Sequence, residues 1–505
     1  MALTSFISEQ FTIVNVVLSA VAYLSWSCIY SLYFHPLANV PGPLSAKIFP
    51  FWTIKVLYRA NLCPALAKLH QRYGPVVRTG PNEISFTSPE AHDTIYRIPF
   101  TKSKTGHYFS KDGTLQDGIA NLIFRAPTIG NEGNRIVHRQ LRNRMAAAFT
   151  TGAVLSQQDI HEVHLARMFT DIDEMCSNGD TVELRDHLSA MLWNLVSDLS
   201  FGEPLVSSKR LVFIRMETIY RRLFPVLEAI NCLFPWLERA IFHASVFVPA
   251  SSARAFLPTG QLRECMDRQD SRKDFLTAIM GENEKEGLGK LNWDIMYSNA
   301  SFFIVSGYFT NEISHCALMY NLLRSKESMK KVQEELRTAF QASNEINAQQ
   351  CAKLPYLNAC ISESLRLWPP LAGKFMSRRS PGAMIDGYWV PFGTQVYIDP
   401  YTVQRSPNAF VDPDEFLPER FLQHKDVGKY QHDLHEVYKP FSSGPRVCIG
   451  REMALQSLRL TTAKLLFKYN IEFTSPDCFI WERDCKSSAL WADYRLPVRI
   501  TAVER

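Results

Sequence analysis

The 505-residue chain has no internal repeat, no low-complexity tract and no Gly/Ser-rich linker in its interior. Those absences favour one large domain over the two to four or so that length alone suggests. A dominant charge is also missing: 55 Lys and Arg face 50 Asp and Glu, mixed along the chain, a net +5 that is too weak to argue for nucleic acid. Cysteines at metal-ligand spacing are absent, and the eleven present are an odd number scattered along the chain. That pattern excludes a disulfide framework and fits free thiols in a reducing compartment. No flavin or dinucleotide fingerprint occurs.

Charge is missing altogether from Phe11 to Phe34. That run is long enough to cross a bilayer, which needs about 20 apolar residues. Trp26, Tyr30 and Tyr33 lie toward its C-terminal half, where aromatics favour the interface. A cleaved signal peptide would carry a shorter apolar core behind a basic segment. Here Glu9 precedes the run, and Lys47, Lys55 and Arg59 follow it, so an uncleaved anchor with the main domain on the cytosolic side is expected. From His35 to Pro43, three prolines and a glycine predict a stiff extended hinge.

The stretch Phe441 to Ala454 concentrates the chemistry. Cys448 precedes a segment of helical pattern, Glu452 to Lys468. A thiol at a helix N-terminus is favoured as thiolate by the macrodipole and free N–H groups. Gly444 and Gly450 permit turns and close approach of a flat ligand, and Arg446 offers a fixed cation. Standing alone, such a cysteine reads equally as a buried structural residue.

Phe441, Gly444, Arg446, Cys448 and Gly450 together resemble the haem-thiolate loop of the cytochrome P450 superfamily, F-x-x-G-x-R-x-C-x-G. The resemblance implies that Cys448 is the proximal iron ligand of heme b, that Phe441 shields the sulfur and that Arg446 pairs with a haem propionate. It extends over nearly the whole chain. Arg135 to Phe149 is helical and basic, with His138 and Arg142 four apart on one face. The family places propionate contacts there; a solvated basic face is the plain alternative. Arg378 falls near a third propionate contact, with Arg379 beside it leaving the register open. Glu363 and Arg366 precede Arg420 at a family-like interval, which implies a buried structural triad.

Leu291 to Arg324 is a sustained helical pattern. The family's long helix carries [A/G]-G-x-[D/E]-T-T across the haem face. Gly307 and Thr310 match it, Phe309 stands in the acidic position, and Asn311 replaces the second threonine. Phenylalanine cannot pass a proton, so delivery would run through Thr310 with ordered water, through Glu312, or through the substrate. Thr310 could equally bond its own i−4 carbonyl. Phe309, Phe375, Leu490 and Trp491 are expected to wall an apolar pocket.

Two strand pairs are expected, Val76–Gly80 with Glu83–Phe86, and Ile385–Pro391 with Thr394–Ile398. A long loop is expected from Ser103 to Pro127, and a lid broken by prolines from Gly202 to Pro258. The fold class implied is mainly α with a small β region: residues 1–34 as a transmembrane anchor, 35–50 as hinge and 51–505 as the catalytic domain. The activity implied is a monooxygenase acting on a lipophilic small molecule, of fungal secondary-metabolite type. The implied partners are NADPH-cytochrome P450 reductase, cytochrome b5 as a further donor, and the endoplasmic reticulum membrane. A reductase-independent isomerase or dehydratase, and a non-catalytic haem-binding protein, remain as alternatives.

Overall fold

The computed structural model describes residues 14–15, 18–19, 21–97, 108–111, 126–178, 181–205, 209–215, short pieces between 218 and 267, and residues 272–285, 292–422, 428–488 and 490–503. Most of the expected loop at 103–127 and most of the expected lid at 202–258 lie outside these residues.

Helices build most of the fold: α1 (Leu62–Tyr73), α2 (Arg135–Met145), α3 (Gln158–Asn178), α4 (Leu184–Phe201), α5 (Trp293–Arg324), α6 (Pro355–Leu367) and α7 (Arg451–Lys468). Helix α5 has 32 residues, roughly 48 Å at 1.5 Å per residue. It starts at Trp293 and not at Leu291, because Asn292 accepts the Asp294 N–H at 2.9 Å and caps the first turn. It is buried nearly all round, against α4 on one side and α6 and α7 on others, which makes it the axis of the core. Helix α4 ends where Gly202 turns left-handed at φ 76°. Helix α6 opens on Pro355, and the carboxylate of Glu335 accepts the Tyr356 and Leu357 N–H groups at 2.7 and 2.8 Å.

The β region is small. Strands β1 (Val76–Gly80), β2 (Glu83–Phe86), β3 (Ser110–Lys111), β5 (Arg378–Ile385) and β6 (Tyr388–Ile398) form one sheet in the order β1-β2-β6-β5-β3. Strands β4 (Val182–Glu183), β7 (Tyr469–Phe473) and β10 (Pro497–Ala502) form a second, with β10 central; β8 (Lys486–Ser487) pairs with β9 (Trp491–Ala492). The first expected hairpin has the expected bounds. The second differs: the turn is Asp386-Gly387, both at positive φ, and the strand leaving it runs unbroken from Tyr388 to Ile398. Gly393, which falls between the two expected strands, sits at φ 80° beside a register shift and acts as a bulge.

The proline segment after residue 34 turns on itself and does not extend. Ala38 and Val40 donate back to His35 and Leu37 carbonyls, and Arg78 N–H bonds the Pro41 carbonyl at 2.7 Å. The fully buried Arg78 guanidinium donates to the Ser31, Leu37 and Pro81 carbonyls, which locks this segment onto β1. Among the described residues no helix is long and apolar enough to cross a membrane; residues 1–13 of the expected anchor lie outside them. Tyr23, Trp26, Tyr33 and Phe34 of its described part are exposed.

Candidate active site

The loop before α7 is shaped by backbone demands. Cys448 N–H bonds the Phe441 carbonyl at 2.9 Å, closing a tight turn. Gly444 sits at φ 71°, and a Cβ there would meet the Tyr96 carbonyl oxygen at 2.2 Å, so no other residue fits. Cys448 is the one exposed cysteine among the described residues. It is not on the outer surface: surrounding protein desolvates its thiol enough to push its pKa up, while the Gly450 N–H and Arg142 pull it down. The sulfur is therefore accessible yet closely surrounded by protein.

Cations gather around the loop. Arg142 on α2 donates to the Val447 carbonyl at 2.6 Å, one residue from the sulfur. Arg446 donates to the Glu132 carbonyl at 2.6 Å and the Gly133 carbonyl at 3.3 Å, binding the loop to the segment before α2. His138 is buried, and desolvation, then Arg446, Arg142 and Lys111, hold its imidazole down to about 3, hence neutral. Three cations around one neutral imidazole make a pocket suited to carboxylates.

Strand alternation sends Arg378 and Arg379 to opposite faces of β5. Arg378 is buried, stacks over the Tyr96 ring at 5.2 Å and donates to the Met376 and Ser377 carbonyls. Arg379 turns the other way and donates to the Gly393 carbonyl at 3.1 Å.

Helix α5 presents a narrow open stripe. Phe302, Val305, Ser306, Gly307, Phe309 and Thr310 are half-buried in the middle of a helix whose other central residues are buried. Phe302 packs against Gly130, two residues before the Glu132 carbonyl that holds Arg446, so the stripe and the cysteine loop share neighbours. Thr310 Oγ1 donates to the Ser306 carbonyl at 2.6 Å, the i−4 bond that was the plain alternative. Gly307 serves α4: a Cβ there would lie 3.1 Å from Val196 Cγ1. Glu312 lies away from the stripe, 1 % exposed, and accepts from Arg185 Nε at 3.0 Å. Burial raises its pKa while Arg185, Tyr308 and Tyr494 lower it, which marks a structural carboxylate and not a carrier facing the cysteine.

Phe309 stacks on Phe213 at 6.2 Å, and Phe375 is exposed. Leu490 is half-buried and bridges Leu371. Trp491 differs from its expected place in the pocket wall: it is 5 % exposed in an aromatic core, with Nε1 bonded to the Pro369 carbonyl at 2.9 Å. Ala489 beside it lies outside the described residues.

Behind the loop, Glu363, Arg366 and Arg420 are all fully buried. Arg366 grips Glu363 at 2.7 and 2.8 Å, and Arg420 Nε reaches the same carboxylate at 3.1 Å. Asp433, which sequence reasoning missed, closes the network by accepting from the other arm of Arg420. No motif marks Asp433; only the requirement that two buried guanidiniums face two carboxylates could have prompted a search for it.

A family model described as Cytochrome P450 matches residues 41–490. The chain belongs to the cytochrome P450 family. Sesterfisheric acid synthase of Neosartorya fischeri is 41% identical over 508 residues, covering 93% of this chain and 92% of that protein. Cytochrome P450 monooxygenase tpcB of Cochliobolus heterostrophus is 40% identical, with 94% and 93% covered. Cytochrome P450 monooxygenase FUP2 of Fusarium proliferatum is 39% identical, with 98% and 96% covered. This P450 chain is therefore an oxidoreductase of monooxygenase type, and its family implies a haem-iron cofactor and oxidative chemistry on small molecules.

Proposed function

We propose that Cys448 ligates the iron of heme b, with His138, Arg142, Arg446 and Arg378 holding its propionates and Phe441, Gly444 and Gly450 shaping the thiolate loop. The observation that carries this reading is the convergence of an accessible, protein-surrounded thiol with cations from three separate chain segments. Bound there, the haem would supply oxygen activation, with Cys448 as the electron-donating thiolate ligand. The chain's own part is to stabilise the thiolate, through Arg142 and the Gly450 N–H, and to exclude water with Phe302, Val305 and Phe309.

Phe309 removes the acid expected on the open stripe, and Thr310 keeps a hydroxyl at its edge. Protons would pass through Thr310 with water, or from a polar group of the substrate itself. The apolar residues Phe309, Phe213, Leu490 and Phe375 favour a lipophilic substrate, and the names of the fungal relatives favour a secondary-metabolite intermediate. Electrons would come from NADPH through cytochrome P450 reductase, with cytochrome b5 as a further donor. The uncharged run from Phe11 to Phe34 supports a single-pass anchor in the endoplasmic reticulum with residues 51–505 on the cytosolic side.

The test is direct. Reduced protein under carbon monoxide should show the red-displaced Soret band of a thiolate haem, and Cys448→Ser should lose it. A wild-type spectrum without that band overturns the assignment. Turnover that proceeds without NADPH and reductase would instead indicate a rearrangement or dehydration, the reading that Phe309 leaves open.

A further inference from the structure

Beneath Leu490 the chain gathers three of its nine tryptophans. Trp491 meets Trp368 at 5.3 Å between ring centroids, and Trp368 meets Trp481 at 5.3 Å. Trp481 then touches two tyrosines, Tyr320 at 5.6 Å and Tyr494, stacked within 5°, also at 5.6 Å. Each tyrosine ends on a carboxylate. Tyr320 Oη donates to Glu482 at 3.3 Å, and Glu482 is solvent-exposed. Tyr494 lies beside the buried carboxylate of Glu312; burial, then that charge, pushes its phenol pKa up. None of these groups has a role in the haem site as described above.

We propose that this cluster is a relay that carries oxidising equivalents from the haem pocket to the protein surface, protecting the site when oxygen activation finds no substrate. The inference rests on the haem-thiolate reading.

Indole and phenol are the most easily oxidised uncharged side chains, but they differ in what happens to the proton. An oxidised phenol is a strong acid and is stable only once its proton has left. An indole can hold the charge for a time. Trp491 Nε1–H faces a carbonyl, Trp368 Nε1–H faces the Asn321 amide oxygen at 3.3 Å, and Trp481 Nε1–H is buried without a partner. None of the three can release a proton to a base, so the charge stays mobile. Arg405 lies 4.2 Å over the Trp368 ring and disfavours a second positive charge there, pushing it onward. Only at Tyr320 does a solvent-exposed carboxylate wait to take the phenolic proton.

The balance is as follows. A one-electron oxidant, of the kind that peroxide or unused activated oxygen leaves at a haem, takes one electron from Trp491. Trp481 refills Trp491 by way of Trp368, and Tyr320 refills Trp481 while its phenolic proton moves to Glu482. A thiol- or ascorbate-class reductant at the surface returns one electron, and Glu482 returns the proton. With Phe309 in place of an acid, a site poorly supplied with protons would release peroxide and so generate the oxidant.

The experiment uses the holoenzyme, after the carbon monoxide spectrum has shown that thiolate haem is present. Substrate-free enzyme is mixed with peroxide, frozen and read by electron paramagnetic resonance. Peptides from the same wild-type sample are mapped for added oxygen. We expect a tyrosyl signal, with adducts concentrated at Trp368, Trp481, Trp491, Tyr320 and Tyr494. The double variant Tyr320→Phe with Tyr494→Phe, matched for haem content, should lose the signal and bleach its haem several-fold faster. Glutathione should prolong the life of the wild type and not of the double variant. An undiminished signal in that variant, or wild-type adducts lying elsewhere, overturns the relay. A preparation without the thiolate-haem spectrum overturns the functional assignment instead.

Discussion

Replacing Glu363 with glutamine changes one oxygen to nitrogen and removes the charge on which two guanidiniums depend. Glu363 accepts from Arg366 at 2.7 and 2.8 Å, from Arg420 at 3.1 Å and from the Leu417 N–H at 3.0 Å, with no solvent contact. With Asp433 it forms a neutral quartet of two anions and two cations. Glu363→Gln leaves a net positive charge in the interior and turns an N–H donor toward one of the arginines. Removing one partner of a buried pair costs about 3–5 kcal/mol. Whole domains are stable by only about 5–15 kcal/mol.

That cost falls on the segment that leads into the cysteine loop. Arg420 also holds the Val411 carbonyl at 2.9 Å, and Asp433 accepts the Val411 N–H at 2.8 Å. Loosening the quartet should release residues 411–434 and the loop after them. The assay is haem absorbance per protein, the carbon monoxide spectrum, and limited proteolysis of residues 411–434. Glu363→Gln should hold little haem and be cut faster. Asp433→Asn should do less harm, because the asparagine oxygen can still take the Val411 N–H and Arg420 keeps Glu363. A Glu363→Gln protein with full haem, the wild-type unfolding midpoint and merely slow turnover would refute the reasoning.

Phe309→Asp should lower peroxide released per NADPH consumed, by restoring an acid to the open stripe; an unchanged ratio with an unchanged product counts against the role given to Phe309. Gly307→Ala should destabilise by about 1–3 kcal/mol, the usual cost of overpacking, because the new Cβ presses on Val196. Val196→Ala in the same chain should recover most of that loss in unfolding midpoint, and a purely additive double variant would show that the contact is not the cause. Acid should weaken the fold: burial holds His161 down to about 3 and His70 to about 4. Below the ordinary imidazole value the unfolded chain binds more protons than the folded one, so stability drops as pH falls, by about 2 kcal/mol per imidazole near pH 5. The unfolding midpoint should fall between about pH 7 and pH 5, less steeply in His161→Asn, and a flat profile would refute this.

Local signals were legible in the sequence, and phase and distance were not. The cysteine loop could be read because five residues within ten positions obey one backbone geometry. The Glu363–Arg366 pair could be read because residues three apart share a helix face. Asp433 could not, because the chain folds back from a different element to reach Arg420. The second strand pair was misplaced because Asp386-Gly387 was put inside a strand, although Asp-Gly between apolar runs is a strong turn signal. Glu312 was named as one possible proton route further along the helix from Thr310, yet two helical residues span about 200° and carry its side chain to the other side. Trp491 was read as pocket with the whole turn from Ala489, but it opens a strand and is buried against Trp368 with its N–H on the Pro369 carbonyl.

The open stripe of α5 limits the chemistry further. Ser306, Thr310 and Ser314 each donate to the carbonyl four residues back, and Asn311 does the same to Gly307. These bonds occupy the hydroxyl protons along the helix; a hydroxyl that donates to its own backbone can still accept, but it must rotate before it donates elsewhere. Among the described residues the stripe holds no carboxylate, because Phe309 fills the acidic place and Glu312 is bound to Arg185. A proton arriving at the stripe must therefore be brought by water or by the substrate, and a hydroxyl on this helix can only pass it along. Substrates with a polar group of their own, held within reach of Thr310, should turn over with better coupling than wholly apolar ones of the same size.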